Sequence, residues 1–306
     1  MSKVMSYHKP VMLEECVSAL VQHPGGTYVD ATFGGGGHSR AILERLNPQG
    51  RLFAFDQDPD AKANTIDDVR FTLISANFTY LAKHLRLQGV KKVHGILADL
   101  GISSHQIDTP ERGFSTRSDA RLDMRMNPER DFSAKDLVTQ YSVEELARVF
   151  REYGEFRQAF PMARALEQWR SSYPIETTFE LMKALTPLAP HKNAARFWSR
   201  LFQAIRIEVN REMEALRQML EGAIEVLRLN GRLVVLSYHS LEDRLVKNYT
   251  RYGNATGEPV KDFYGNLLRP LQPVNPKPYV ADAEEIAENP RARSVKMRIA
   301  MRNGEQ

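Results

Sequence analysis

The stretch Asp30-Ala31-Thr32-Phe33-Gly34-Gly35-Gly36-Gly37-His38-Ser39 decides the fold of this chain. It follows a short apolar strand pattern, Thr27-Tyr28-Val29, and precedes a helical pattern over residues 39–46. A strand, a tight glycine turn and a helix in this order predict the ligand-binding turn of an open α/β sheet. Glycine lets the backbone approach a ligand closely, and a helix N-terminus adds N–H groups and a partial positive charge.

A carboxylate follows this turn at a spacing that suggests the ligand. Asp56 lies twenty residues after Gly36, at the end of a second strand pattern over residues 51–55. A carboxylate in that position can accept hydrogen bonds from both hydroxyls of an adenosine ribose. The turn and Asp56 together predict an adenosine cofactor.

The glycine pattern separates two such cofactors. A dinucleotide turn has the form G-x-G-x-x-G/A, but Ser39 or Arg40 occupies its last position here, depending on the first glycine chosen. Read from Asp30, the turn is D-x-T-x-G-x-G, which is close to the D/E-x-G-x-G-x-G turn of S-adenosylmethionine methyltransferases. Thr32 replaces the first glycine of that pattern. The turn therefore favours S-adenosylmethionine, and an NAD-dependent oxidoreductase is the alternative.

Composition limits the class of protein. The chain has 306 residues, of which 42% are hydrophobic, and this predicts a globular protein with a sizeable core. Its one cysteine, Cys16, cannot form an internal disulfide and is expected at a buried position of an apolar helix. Residues 1–10 do not resemble a signal peptide and no apolar run has membrane-spanning length, so a cytoplasmic enzyme without membrane contact is expected. The net charge of +4 permits nucleic-acid binding without establishing it.

Strand and helix patterns alternate from residue 27 to about residue 104. After the first two strands come strand patterns at 71–74 and 92–98, with a helical pattern over 80–88 between them. Strands separated by helices predict right-handed crossovers and a mostly parallel, doubly wound sheet. Ligand-binding groups gather at the carboxyl ends of such strands, and the candidates there are Asp56, Asn77-Phe78 and Asp99.

The pattern changes after residue 105. Residues 105–133 show no clear period and are predicted as loop, whereas capping boxes at 142–145 and 177–180 and a pattern over 160–170 predict helices. A helical series continues through Leu201, Ile205, Val209, Met213, Leu216 and Leu220 and is predicted as core. Strands return at 231–237 and 294–301, on either side of a proline-rich loop. We predict a discontinuous cofactor-binding domain, residues 1–107 and 216–306, and an inserted helical substrate-recognition subdomain, residues 108–215.

Several segments of the sequence resemble the bacterial ribosomal RNA small-subunit methyltransferase H family, also called the MraW family. They occur in the family's order along nearly the whole chain. These segments are His8–Met12, Asp30–Ser39, Asp99–Ser104, Arg112–Ser115, Ser199–Asn210, Ser237–Arg244 and Asn289–Ser294. The resemblance implies an α/β, Rossmann-like class I methyltransferase fold with a helical insert between the fourth and fifth strands.

The resemblance also implies an activity and a partner. It implies transfer of methyl from S-adenosyl-L-methionine to the N4 amino group of a cytidine of 16S ribosomal RNA, in the decoding centre at the P site, with the assembled small ribosomal subunit as substrate. The family's cofactor contacts fall on Gly36, Gly37, His38, Asp56, Phe78, Asp99 and Gln106. For His38, a structural role at the helix start is an equal alternative. The enzyme is expected as a monomer or homodimer, and no metal site is expected.

The chemistry of the N4 amine suggests catalytic candidates. Its lone pair is delocalised into the ring, so hydrogen-bond acceptors for the NH₂ group and in-line alignment should provide most of the catalysis. Asp99 with Ser103 or the Leu100 carbonyl is expected to accept these bonds, and Tyr238 or His239 to hold the base. Other amino-methyltransferases have [D/N/S]-P-P-[Y/F/W] here, and this chain keeps only the acid. The alternative is that Asp99 binds only the cofactor and that Ser103 caps a turn.

Candidate RNA contacts lie in the loop after the fourth strand. Phe114 is a further candidate for stacking on the base, and Arg112, Arg117 and Arg121 stand among Gly, Ser and Pro residues, as expected of a phosphate-binding loop. A solvated surface charge is the alternative for each arginine. Two other functions remain: a ribosome-assembly factor that binds S-adenosylmethionine without turnover, and a methyltransferase acting on tRNA, DNA or protein.

Overall fold

A computed structural model describes residues 10–304 of the chain. The chain divides into two compact units. The residues up to Gly101 and those from Met213 onward form one unit, and Ile102–Glu212 forms the other. The insert thus begins at 102 and ends at 212, whereas the sequence predicted 108 and 215. The difference at its start arises from a short helix that the predicted loop concealed.

The first unit is built on a seven-stranded sheet within the described residues. Its strands are β1 (Thr27–Asp30), β2 (Arg51–Asp56), β3 (Phe71–Ser75), β4 (Val93–Asp99), β5 (Leu227–Ser237), β6 (Leu271–Pro273) and β7 (Lys296–Arg302). Their order is β3-β2-β1-β4-β5-β7-β6. The first five strands are parallel, and β7 runs antiparallel to both neighbours. The strand order reverses between β1 and β4, which is where an open sheet of this kind binds its ligand.

The α-helices in residues 10–304 are α1 (Leu13–Leu20), α2 (Gly37–Arg45), α3 (Leu81–Leu87), α4 (Ser104–Asp108), α5 (Ala134–Gln140), α6 (Val143–Glu152), α7 (Ala159–Arg170), α8 (Thr178–Leu185), α9 (Ala194–Asn210), α10 (Glu212–Val226), α11 (Ser240–Tyr252) and α12 (Ala283–Glu288). Short 3₁₀ turns lie at Pro59–Asn64, Phe78–Tyr80, Pro110–Arg112, Thr186–Leu188 and Pro290–Ser294. None of these helices is both long enough and apolar enough to cross a membrane.

The sheet is buried on both faces because its central strands are apolar at successive positions. In β4, Ile96 packs into one core with residues of α3, α10 and α11, and Leu97 packs into the other with residues of α1 and α2. Val29 and Tyr28 of β1 divide between the two cores in the same way. A continuous apolar run of this kind is typical of a parallel sheet covered by helices on both sides. Cys16 is buried in α1, as predicted.

The insert has a hydrophobic core of its own, drawn from α5 to α9 and from the segment that precedes them. Leu122 and Met124 of this segment are fully buried. Asn210, at the end of α9, fixes the same segment: its amide Nδ2 donates to the Met124 carbonyl at 2.8 Å, and its Oδ1 accepts the Met126 N–H at 2.7 Å. Phe114, Leu122, Met124 and Met126 therefore belong to the insert core, while Arg117 and Arg121 between them are exposed.

Three predicted element boundaries were wrong for identifiable reasons. Helix α2 begins at Gly37, two residues before the predicted start, because the left-handed Gly36 is its N-cap residue and ends the turn there. The apolar series over 201–220 spans two helices, since Arg211 between them has a φ of 51°. Strand β6 lies in the predicted proline-rich loop, and Pro273 is tolerated there because β6 is an edge strand.

Candidate functional site

The glycine turn between β1 and α2 has a backbone that few other residues could adopt. Gly34 and Gly36 have φ values of 50° and 76°, in the left-handed region that favours glycine. At Gly37 the constraint is steric, since a Cβ there would lie 2.2 Å from Cγ of Pro10. The Arg40 guanidinium donates to the Gly35 carbonyl at 2.7 Å and holds the turn from its own helix.

Asp56, at the end of β2, supports this turn from the neighbouring strand. Its Oδ2 accepts the Gly34 N–H at 2.7 Å, and its Oδ1 accepts the Asp58 N–H at 2.8 Å. Burial raises the pKa of Asp56 to about 6, and repulsion from Asp58 and Asp30 adds to this effect. Each carboxylate oxygen of Asp56 keeps a further lone pair, so Asp56 could also accept hydrogen bonds from two ribose hydroxyls.

Asp30, at the end of β1, is a second buried acid, with 1% of its surface exposed. It accepts a hydrogen bond from the Ser39 hydroxyl at 2.7 Å and from the Thr32 N–H at 3.1 Å. Burial raises its pKa, although His38 and the hydrogen bonds oppose the shift. Asp30 therefore ties the end of β1 to the first turn of α2.

Thr32 links this network to β4 and was missed by sequence reasoning as a functional residue. Its Oγ1 accepts the backbone N–H of Asp99 at 2.7 Å, and its hydroxyl also hydrogen-bonds Asp30. The first glycine of the methyltransferase turn could do neither. The signal in the sequence was this departure itself, a polar β-branched residue where the pattern has glycine. Sequence reasoning also missed the role of Ser39, whose hydroxyl donates to Asp30.

Asp99, at the end of β4, is held from two sides by residues distant in sequence. The Tyr238 hydroxyl donates to its Oδ1 at 2.7 Å, and Nδ1 of His38 lies 3.8 Å from its Oδ2. Burial raises the pKa of Asp99, while His38 and Tyr238 oppose the shift. Burial and the nearby Asp99 raise the pKa of Tyr238 well above its usual value, so the phenol stays protonated and remains a donor.

His38 has the structural role that was one of its two alternatives, and its cofactor contact stays a prediction. Its Nε2 lies 3.2 Å from the Val11 carbonyl, an acceptor that fixes the ring with the proton on that nitrogen. Its Nδ1 faces Asp99. The ring is buried, with 6% exposed, so it is at once part of the packing and part of the acidic site.

His239 has a structural role at the start of α11. It is the N-cap residue, and its Nδ1 accepts the Glu242 N–H at 3.4 Å. The Glu242 carboxylate accepts the N–H groups of Tyr238 and His239 in return. This capping box uses Nδ1 of His239, whereas Tyr238 hydrogen-bonds Asp99 directly, so Tyr238 is the better placed of the two candidates for holding a base.

The remaining cofactor candidates lie on different elements. Phe78 is half-buried at the start of the 3₁₀ turn after β3, which Asn77 caps. In the insert, Ser103 and Gln106 form the capping box of α4: the Ser103 hydroxyl accepts the Gln106 N–H at 3.2 Å, and Gln106 Oε1 accepts the Ser103 N–H at 3.1 Å. The structure thus gives Ser103 the capping role that was the alternative to a catalytic one.

Two of the predicted RNA contacts are engaged within the insert. Phe114 is 8% exposed and packs in the insert core, so its ring has no free face for stacking on a base. The Arg112 guanidinium donates to the carbonyls of Arg125 and Met126, at 3.1 and 2.9 Å. Arg117 and Arg121 are exposed.

The sequence matches the MraW methylase family over residues 5–303. The chain belongs to the MraW methylase family. The methylase is 52% identical to the ribosomal RNA small subunit methyltransferase H of Flavobacterium johnsoniae, over 98% of this chain and 99% of that protein. Proteins of the same name from Christiangramia forsetii and Cytophaga hutchinsonii are 50% and 52% identical, each over 97% of this chain and over 98% and 99% of their own lengths. The predicted α/β class I methyltransferase fold is confirmed.

The methylase depends on S-adenosylmethionine, as predicted, and is therefore not an NAD-dependent oxidoreductase. Its own residues fit this cofactor. Asp30, Asp56 and Asp99 stand at the ends of neighbouring strands, and burial raises the pKa of all three. Buried carboxyls that are short of positive partners are suited to a ligand carrying sulfonium and ammonium charges.

Proposed function

We propose that this methylase transfers a methyl group from S-adenosylmethionine to the N4 amino group of a P-site cytidine of 16S ribosomal RNA in the small ribosomal subunit. The acceptor class is supported by relatives about 50% identical over nearly their full lengths, all named ribosomal RNA small subunit methyltransferase H. The observation that carries the chemistry is the Asp99 carboxylate, held by Tyr238 at the point where the strand order reverses. The enzyme acts in the cytoplasm, where small subunits are assembled.

Asp99 is suited to accept hydrogen bonds from an amine. Bound S-adenosylmethionine supplies an electrophilic methyl group on sulfur. With one oxygen held by the Tyr238 hydroxyl, the Asp99 carboxylate is fixed in orientation and retains lone pairs for the NH₂ of cytosine. Such acceptance localises the nitrogen lone pair that must form the new N–C bond. Once the bond forms, the nitrogen carries one extra proton, which passes to Asp99 or to water.

Tyr238 and His38 have positioning roles in this proposal. The protonated phenol of Tyr238 cannot accept the amine proton, so it orients Asp99 and offers its ring edge or face to the base. His38 opposes the rise in the Asp99 pKa that burial causes. Among the cofactor contacts, Asp56 takes the ribose, Phe78 the adenine, and the backbone at Gly36 and Gly37 the methionine portion. Gln106 is a further proposed contact.

Recognition of the folded RNA is proposed for the insert. The target cytosine is paired or stacked in the subunit and must be turned outward to reach Asp99, as in other enzymes that modify bases. Arg117 and Arg121 are exposed on the insert and suit contacts with phosphates. Replacing both with Gln should reduce the salt dependence of subunit binding by a slope of roughly two. An unchanged slope would remove these arginines from the interface.

The function is tested with small subunits from a strain that lacks the enzyme. Purified protein and methyl-labelled S-adenosylmethionine should produce N4-methylcytidine in the digested 16S ribosomal RNA. Another labelled nucleoside would overturn the proposed acceptor. Binding of S-adenosylmethionine without any labelled nucleoside would indicate an assembly factor instead.

The role of Asp99 is tested with the matched variants Asp99→Asn and Asp56→Asn. Both should weaken cofactor binding. At saturating cofactor, Asp56→Asn should recover most of kcat, whereas Asp99→Asn should remain slower by about a hundredfold, the scale for loss of one preorganised interaction. If Asp99→Asn also recovers full kcat, Asp99 binds only the cofactor.

A further inference from the structure

A second surface of the first unit has features that methyl transfer does not use. The segment Val260–Leu268 forms a tight hairpin, here called the aromatic hairpin. The Leu268 N–H donates to the Val260 carbonyl at 2.8 Å, and Lys261 pairs with Leu267 across the strands. Phe263 and Tyr264 stand at its tip with 98% and 86% of their surfaces exposed.

The turn that presents these rings is held by hydrogen bonds to the Asp262 carboxylate. The Asp262 carboxylate accepts the N–H groups of Tyr264 and Asn266, at 2.9 and 2.8 Å, and also the Asn266 side-chain amide. Gly265 has a φ of 86°, which closes the turn. The two rings lie edge to face, with centroids 5.6 Å apart. Large apolar side chains held in solvent by such a turn are typical of a binding surface rather than of the ordinary scatter of exposed residues.

A basic pocket of about 350 Å³ adjoins the aromatic hairpin through Leu267. Arg251, Arg269, Tyr252 and Gln272 also line it, so its polar groups are cationic or uncharged. The Arg251 guanidinium donates to the Pro276 carbonyl at 2.7 Å, and Arg269 donates to the Arg251 carbonyl at 3.3 Å. These bonds use only part of each guanidinium's donors, and the others suit an anion.

The charge of the whole region favours a polyanion. Residues 247–277 contain five Lys and Arg and two acids, an excess of three positive charges in a chain whose total is +4. One of the two acids, Asp262, is occupied by the turn. The pocket borders β6, the edge strand, which is three strand positions from β4 and thus roughly 14 Å across the sheet from it.

We propose that the aromatic hairpin and the adjoining basic pocket bind unpaired nucleotides of RNA outside the methyl-transfer site. Phe263 and Tyr264 stack on bases, and Arg251 and Arg269 contact phosphates. Exposed aromatic rings beside arginines are the usual means of holding single-stranded nucleic acid, because stacking accepts any base. The proposal rests on the proposed function, in that RNA is the substrate, but it concerns a surface that does not reach the reacting atoms.

The test compares three paired variants of the hairpin tip for binding of a short fluorescent oligoadenylate and for KM with small subunits. Phe263→Ala with Tyr264→Ala should weaken oligoadenylate binding about tenfold or more and raise KM, with kcat and S-adenosylmethionine affinity unchanged. Phe263→Leu with Tyr264→Leu should behave similarly, because leucine is apolar but offers no stacking face. Phe263→Tyr with Tyr264→Phe should retain binding. Leu87→Ala, at a position 72% exposed elsewhere in this unit, is the control and should have no effect.

Each outcome decides the proposal. Failure of the unaltered protein to bind oligoadenylate at low salt would overturn it, as would full binding by the alanine pair. Full oligoadenylate binding by the leucine pair would overturn it too, because leucine has no face for stacking on bases. Small subunits could gain no N4-methylcytidine while the alanine pair still binds oligoadenylate more weakly than the exchanged pair. The proposed function would then fail, but the proposal that the aromatic hairpin binds RNA would hold. Arg269→Gln should lower the salt slope of oligoadenylate binding by about one.

Discussion

Replacement of Thr32 with valine tests whether the departure from the glycine pattern is functional. Valine has the shape of threonine, so the change removes the hydroxyl and leaves the packing. Two hydrogen bonds are lost, one from the Asp99 N–H at 2.7 Å and one to the buried Asp30. A bond to a carboxylate contributes roughly 1.5–3 kcal/mol, and an unsatisfied N–H costs about 1–3 kcal/mol. Because water can reach part of this site, we expect a loss of about 2–4 kcal/mol in the free energy of unfolding.

The assay is urea unfolding of the cofactor-free protein, with Thr32→Ser as the matched control. Serine keeps the hydroxyl and should stay within about 1 kcal/mol of the unaltered protein, a typical value for a small core truncation. Calorimetric titration with S-adenosylmethionine provides a second readout, since loss of the Thr32 bond frees the backbone of Asp99. If valine is as stable as serine and binds cofactor equally well, Thr32 only replaces a glycine and the reasoning is refuted.

Three further predictions follow from the same geometry. Burial raises the pKa of Asp56 to about 6, above its unfolded value of 3.8, so the ionised group destabilises the cofactor-free fold above pH 6 by roughly 3 kcal/mol, and this destabilisation is lost as the pH falls to 4. The difference in free energy of unfolding between the unaltered protein and Asp56→Asn, measured in urea from pH 4 to pH 8, should change by that amount. A difference that does not depend on pH would contradict the prediction. Gly37→Ala should weaken cofactor binding in calorimetry because its Cβ meets Pro10, and Pro10→Ala should restore part of the loss; an additive double variant would argue against the clash. Phe114→Ala should lower the free energy of unfolding by about 3–5 kcal/mol, as expected for a core ring, and normal stability with reduced kcat would instead return Phe114 to the base contact.

The sequence predicted the sheet well because the two-sided burial of its strands leaves a strong local signal. Apolar runs such as those around Tyr28 and Leu97 predict strands without a structure. The polar residues that follow these runs predict where the strands end. Periodicity could not reveal the left-handed backbone of Arg211, because the apolar series continues in register on both sides of it. Strand β6 was missed because three residues ending in proline form a strand only when β7 offers an edge.

The acidic residues of the candidate site could be predicted from the sequence, but most of their hydrogen-bond partners could not. Asp56 and Asp99 could be found because strand ends in a parallel sheet collect ligand groups. The bond between Tyr238 and Asp99 joins residues 139 apart in the chain, and no local pattern specifies such a pair. The N-cap position of His239 was not predicted because histidine is rarely an N-cap, although the glutamate three residues later was a capping-box signal. The core position of Phe114 depends on contacts with later helices, which spacing alone does not supply.

The three raised carboxyl pKa values predict that the site prefers a cationic ligand. Asp30, Asp56 and Asp99 are each costly to ionise in the empty protein because burial removes their hydration. A sulfonium charge on the ligand would stabilise the ionised carboxylates and offset part of that cost. After methyl loss the ligand is a neutral thioether, which would stabilise them less. We therefore expect the ionised acids to favour the methyl donor over its product. Acidification should narrow that difference in affinity, since protonated carboxyls no longer distinguish the two ligands by charge.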